Sequence, residues 1–270
     1  MMKIELYKKL YKKLLDLASI IGIDETGLQR YFIPEGITSS ESILVHLCSS
    51  LQNSGIMRNS IKFNNTNDQS NRCIIKKVLF NFNAEKSATT YSNWKCIYNA
   101  MLTAGITDNG KKEKKESNWE KYCCGLFDGL QFLTVKNGKN RMKELIATST
   151  LTDKELNEIS TISKSIHGLG FALTCDWLKE CGCTWLAKPD VHISKVVKRI
   201  QGCKTLKDTD VIQFVFEWSK AVEENYDKTV TAYKIDKMIW LLCTGNFYLD
   251  HEKFGREAIY YMIDAIKDTQ

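Results

Sequence analysis

The chain has 270 residues, 43% of them hydrophobic and 26% charged, with a formal net charge of +6. That length suits one large domain or two small ones, the composition is ordinary for a soluble globular protein, and no uninterrupted apolar run approaches membrane-spanning length. The positive balance is compatible with a polyanionic partner but does not establish one.

The 2 prolines, Pro34 and Pro189, favour a helix-rich chain. The 10 cysteines include no C-x2-C pair, so neither a zinc ribbon nor an iron–sulfur cluster is expected, and no other cofactor is called for. The first residues are Lys-rich and amphipathic without a separate apolar core, which argues against a signal peptide. Reduced, mostly buried thiols in an intracellular protein are the expectation, in the cytoplasm or nucleoid, or the nucleus of a eukaryote.

Leu6, Leu10, Leu14, Leu17 and Ile21 recur at helical spacing and predict an amphipathic helix over 2–21. Its lysine pairs suit a solvated face, or contact with an acidic surface. Residues 41–52 read as a second helix. The polar, Asn-rich stretch from Asn59 to Arg72 reads as a loop. Cys73 to Phe82 is either a strand or a buried helix; periodicity does not decide. Trp94, Ile97, Tyr98, Met101 and Leu102 mark a further helix. Residues 107–116, with Lys111, Lys112, Lys114 and Lys115, form a basic loop that is a boundary or an insertion. Such a loop either holds phosphates or is simply solvated. Helices are expected over 118–133 and 138–148.

Thr152 and Glu155 have the spacing of a capping box. Leu156, Ile159, Ser163 and Ile166 then share a face. The turn His167-Gly168-Leu169-Gly170 follows, and a helix runs from Phe171 to about Cys181, with Gly182 as its terminator. Pro189 marks where the next helix can begin, and Ile193, Val196, Val197 and Ile200 form its apolar stripe. Three more helices carry Val211, Phe214, Val215, Trp218 and Val222; Ala232, Ile235, Ile239 and Leu242; and Ile259, Met262, Ile263 and Ile266. The fold class is mainly α.

A helix that ends in Gly-x-Gly and turns at once into another has a chemical use. Glycines permit the tight turn and clear side chains from its outer surface. The amides at the start of the second helix are then exposed and can bind a phosphate. The same glycines also serve a mere helix–helix connection.

Residues 166–200, IHGLGFALTCDWLKECGCTWLAKPDVHISKVVKRI, add context. The hairpin Ile166-His167-Gly168-Leu169-Gly170 followed by Pro189-Asp190-Val191-His192 resembles the helix-hairpin-helix DNA glycosylase superfamily, which includes endonuclease III-like and 8-oxoguanine glycosylase-like enzymes. The match covers these central residues, and the helices after them loosely. The resemblance implies a helix-hairpin-helix DNA glycosylase-like fold with a divergent N-terminal helical region over 1–115 and the glycosylase-like region over 116–270, together one compact two-lobed unit. It implies a base-excision-repair hydrolase that flips a damaged or modified base from double-stranded DNA, acting as a monomer without a membrane.

On this resemblance Asp190 is the catalytic carboxylate, facing the sugar of the extruded nucleotide. Breaking the base–sugar bond builds positive charge on the sugar, which a fixed carboxylate stabilises or meets with activated water. Taken alone, Asp190 reads as a helix cap. His167, Gly168, Leu169, Gly170, Lys188, His192 and Lys195 are the DNA-binding set, and a monovalent cation at the hairpin is compatible with it. His167 replaces the usual hairpin proline and either meets a phosphate or sits exposed without function. His192 is expected to fix the turn around Asp190.

Ala172 stands where family members that also cut the backbone carry a nucleophilic lysine. Either the enzyme is monofunctional, or another lysine reaches the site, with Lys164 and Lys188 nearest in sequence. Asp176, one helical turn beyond Ala172, either borders the base pocket or pairs with Lys179 or Lys198. Trp177 and Trp185 either stack on a base or belong to the core. A non-catalytic DNA- or RNA-binding protein of the same fold is the alternative.

Overall fold

The computed structural model describes residues 2–55, 57–64, 70–108 and 116–253. Over these the chain is mainly helical. It runs through α1 (Met2–Ile20), α2 (Glu25–Gln29), a single 3-10 turn (Arg30–Phe32), α3 (Ser40–Leu51), α4 (Met57–Ile61), α5 (Asn71–Val78), α6 (Ala84–Thr90) and α7 (Trp94–Thr103). Then follow α8 (Asn118–Thr134), α9 (Gly138–Ala147), α10 (Asp153–Ser165), α11 (Phe171–Glu180), α12 (Val191–Gln201), α13 (Asp208–Asn225) and α14 (Ala232–Thr244). A short antiparallel ribbon pairs β1 (Asn246–Phe247) with β2 (Glu252–Lys253).

Many helix starts are written in the sequence as side-chain caps. Ser39 with Ser42, Ser117 with Glu120 and Thr152 with Glu155 form capping boxes, each satisfying amides that a helix start leaves unpaired. Asp24, Asn83, Asn93 and Thr231 cap with one side chain each.

Two compact units result. The first comprises Met1–Pro34, Ser149–Leu151 and Cys183–Gln270; the second comprises Glu35–Thr148 and Thr152–Gly182. This differs from the contiguous division at 115/116 that the sequence suggested. The reason is packing: the apolar stripe of α1 is covered by α13 and α14, from the far end of the chain. Leu6, Leu10, Leu14 and Leu17 are all buried there, each contributing roughly 1.5–3 kcal/mol. The Trp218 indole N–H donates to the Lys3 carbonyl at 2.7 Å and ties α13 to α1.

In the second unit α8 is the central element. It buries Trp119, Tyr122, Leu126, Leu130 and Phe132, and packs against α3, α4, α6 and α7. Helix α11 lies on α3, where Trp177 donates to the Ile43 carbonyl at 3.0 Å.

Two expectations change, and the open choice between strand and helix over Cys73–Phe82 is decided. Asn59 to Arg72 is not one loop: Asn59 lies in α4 and Asn71 opens α5. Asn71 acts as a local cap there, donating its carboxamide N–H to the carbonyls of Ser60 and Ile61. Most of the span Cys73–Phe82 is helical, because α5 buries a single face through Ile75 and Val78 before Phe80, Asn81 and Phe82 turn left-handed and end it. Pro189 lies just outside α12, whose cap is Asp190. The four lysines of the basic loop and the helix expected at 259–266 lie outside the described residues.

Candidate functional site

The hairpin between α10 and α11 is held from below by α8. The His167 amide donates to Asp128 Oδ2 at 2.9 Å. Gly125 lies beneath the turn so closely that a Cβ there would stand 2.6 Å from the His167 carbonyl oxygen and 2.8 Å from a Leu51 methyl. Only glycine permits that approach. Ile166 and Leu169 are buried anchors, and the Leu169 amide closes the turn onto the Ile166 carbonyl at 3.2 Å. Gly168 has φ +75, a left-handed backbone that favours glycine. The Thr174 hydroxyl reaches back to the carbonyls of Leu169 and Gly170.

The outer surface of this turn is open. His167 and Gly170 are exposed, and a Cβ added at Gly170 would meet nothing within 4 Å. Gly170 is the N-cap of α11 and supplies no side-chain cap. Among the described residues nothing accepts the amide hydrogens of Gly168, Gly170 or Phe171. Unpaired amides at the positive end of a helix dipole suit an anion.

Asp190 stands at the start of α12 in the other unit. Its Oδ1 accepts from the amides of His192 at 2.8 Å and Ile193 at 3.1 Å. Its Oδ2 has no hydrogen-bond partner among the described residues, and the side chain is half-buried. The turn before it is tightly built: the Asp190 amide donates to the Lys188 carbonyl at 2.7 Å, and the Lys188 amide to the buried Asp236 carboxylate at 3.1 Å. The Tyr233 amide on α14 holds the Thr184 carbonyl at 2.9 Å. Cys243 lies close by; burial pushes its thiol up to about 11, the Asp190 charge adds to that rise, and Lys195 opposes it. Lys195 is exposed.

The remaining sequence candidates divide. His192 serves the turn through its backbone amide. Asp176 is 14% exposed, accepts from Ser50 Oγ at 3.2 Å and pairs with the buried Lys179 at 4.0 Å. Of its two readings, the ion pair with Lys179 is present. Trp177 is fully buried against Phe132, with ring centroids 6.0 Å apart, and its indole N–H is engaged. It is a core residue with no free face for stacking, and Trp185 is buried as well. Ala172 sits half-buried in the first turn of α11 and offers no nucleophile.

Sequence reasoning missed Gly125, Asp128 and Asp236, the residues that place the hairpin and the Asp190 turn. The pair Gly125 and Gly129, four apart on one helix, was the available signal: a Cβ at Gly129 would stand 2.2 Å from Leu47. None of the ten cysteines is in a disulfide, and six are buried. Among the described residues there is no group of three His, Cys, Asp or Glu able to hold a metal ion, and no helix long and apolar enough to cross a membrane. Compared with family models, curated proteins and solved structures, the chain matches none.

Proposed function

We propose that this protein is a DNA glycosylase of the helix-hairpin-helix type, which flips a damaged or modified base from the duplex and hydrolyses its glycosidic bond. One observation carries the reading: an uncapped Gly168-Leu169-Gly170 hairpin with open amides is followed in the chain by Asp190, a carboxylate fixed through one oxygen and free at the other.

The division of labour follows from that chemistry. The amides of Gly168 and Gly170 bind a backbone phosphate without reading sequence. Lys188 and Lys195 supply positive charge for a second phosphate contact. Oδ1 of Asp190 is held by two amides, so the carboxylate points in one direction without reorganising during the reaction. Oδ2 is then available to stabilise the positive sugar or to take a proton from the attacking water. Ala172 in place of a lysine makes the enzyme monofunctional: water, not an amine, completes the displacement.

The test is mass spectrometry of free bases released from oxidised, alkylated, deaminated and naturally hypermodified DNA by the protein and by its Asp190→Asn variant. A base released by the first and not by the second establishes the chemistry and names the substrate. Equal release by both removes Asp190 from the mechanism. A second reading is favoured by the capping bonds of Asp190, which explain its carboxylate without chemistry: a DNA- or RNA-binding protein that releases no base. Binding that weakens steeply with salt, without base release from any DNA, would identify it. Borohydride trapping of a covalent adduct would instead reveal a lysine acting as nucleophile.

A further inference from the structure

Away from the hairpin's amides, the second unit contains a cleft of about 580 Å3 lined by Gln52, Arg58, Asn59, Lys62 and Asn64. Its size falls within the range of small-molecule sites, roughly 300–1,000 Å3. Among the described residues the lining is two cations and three carboxamides, with no carboxylate. The sequence agrees, since no acidic residue occurs between Glu41 and Asp68.

Gln52 is the informative residue. It is 1% exposed. Its Oε1 accepts the Phe63 amide hydrogen at 2.8 Å, which fixes the orientation of the carboxamide, because a flipped amide would present a donor to a donor. Nε2 is thereby left buried with no hydrogen-bond partner among the described residues. A buried unsatisfied donor is costly, and one on a residue that lines a cationic cleft is explained by an acceptor that comes from outside.

The walls are held in place. The Met57 amide donates to the Ser54 carbonyl, and the Lys62 amide to the Arg58 carbonyl. Asn71 holds the carbonyls of Ser60 and Ile61, and Asn118 donates to Ser60 Oγ at 2.8 Å. Ser49 Oγ donates to Asn64 Oδ1, leaving the carboxamide N–H groups of Asn64 to serve as donors. The Arg72 guanidinium lies over the ring of Phe63, whose amide Gln52 holds.

We propose that this cleft is a phosphate-binding site, taking a phosphate ester between the Arg58 guanidinium, the Lys62 ammonium and the Gln52 amide. The ester belongs either to a nucleic-acid backbone or to a free nucleotide. Donors of these kinds, with a charged fork among them, match phosphate oxygens. The same segment lies beside the hairpin: a Cβ at Gly168 would be 3.9 Å from Met57 Cε and 4.0 Å from Ser54 Oγ. The site requires neither Asp190 nor base release, so it stands or falls apart from the glycosylase reading.

Calorimetric titration of the full chain with inorganic phosphate, thymidine monophosphate and a short duplex DNA tests it. Gln52→Glu keeps the acceptor for the Phe63 amide and replaces the donor by a repelling oxygen. Arg58→Gln and Lys62→Gln alter exposed side chains and keep the test valid if the buried change impairs folding. Each variant is expected to weaken binding on the order of tenfold, and each lysine or arginine removed should lower the salt slope for duplex by about one. Parallel losses for mononucleotide and duplex point to a free nucleotide; a loss confined to duplex points to a backbone phosphate. Wild-type protein that binds none of the probes, or variants that bind them all as wild-type does, overturns the site, whatever happens to base release.

Discussion

Helices α11 and α12 begin in opposite ways. Helix α11 starts at Gly170 with no side-chain cap and its first amides unpaired, on an exposed turn. Helix α12 starts at Asp190, whose own carboxylate takes two of the first amides. Both ends carry the same partial positive charge from aligned peptide dipoles. The first leaves that charge for an external anion. The second spends it on a carboxylate, orienting the acid and leaving its other oxygen for a cationic group. Local chemistry thus separates an open helix start from one closed by its own carboxylate, although both are helix N-termini; under the proposed function the first anchors a phosphate and the second stabilises charge.

The comparison breaks most decisively at Asp190. Asparagine retains the cap and removes the charge, so Asp190→Asn should leave urea stability nearly unchanged while base release falls by about 100-fold or more. Alanine removes both, and Asp190→Ala should lose about 1 kcal/mol of stability in addition, read from urea denaturation.

Next in size is the support of the α11 turn. Gly125→Val inserts atoms where the His167 carbonyl and Leu51 already stand. Overpacking of this kind costs about 1–3 kcal/mol, and the displaced hairpin should lose DNA affinity in proportion. Stability lost with full DNA affinity retained would show that the hairpin is not the anchor.

A smaller change converts one helix start into the other. Gly170 has φ −61 and ψ 169 with open space around its Cβ position, so an aspartate fits without strain. Gly170→Asp should add a few tenths of a kcal/mol to stability by capping α11. The same carboxylate should repel a phosphate and weaken duplex binding, measured by fluorescence anisotropy. Unchanged binding would remove the open amides from the interface.

The smallest effect comes from a carboxylate committed wholly to structure. Asp227 accepts from Thr229 through Oδ1, and from Tyr7 and the buried Lys234 through Oδ2. Burial alone would raise its pKa, but the bonds from Thr229 and Lys234 and the Lys234 charge prevail and hold it at about 2, below the ordinary 3.8. A carboxylate depressed on folding stabilises the protein above its unfolded pKa and loses that contribution as pH falls through the folded one. Stability should therefore decline between about pH 4 and pH 2, and Asp227→Asn should flatten that part of the profile. Base release at neutral pH should not change in a folded Asp227→Asn protein, in contrast to Asp190→Asn.

Much of the helical layout was legible in the chain, because helix starts and apolar stripes are short-range signals. Thr152 with Glu155, the stripe from Leu6 to Leu17, and the turn at Gly168 each depend on residues within a few positions. Helix α4 and the start of α5 escaped notice because Asn-rich polarity reads as loop until Asn71 is seen to hold the carbonyls of Ser60 and Ile61. Trp177 was ambiguous for a related reason: its type and spacing are the same in a core and in a stacking surface, and only its burial against Phe132 distinguishes them.

The sequence by itself determined a mainly helical protein, the position of the glycine hairpin and the placement of Asp190 at a helix start, since each is a matter of local backbone chemistry. Tertiary structure decided the rest. It assigned the N-terminal helix to the unit that holds Asp190, placed Gly125 and Asp128 beneath the hairpin, and left Gln52 Nε2 buried without a partner among the described residues. Those outcomes depend on which distant surfaces meet, and apolar stripes specify that a face will be covered without specifying by what.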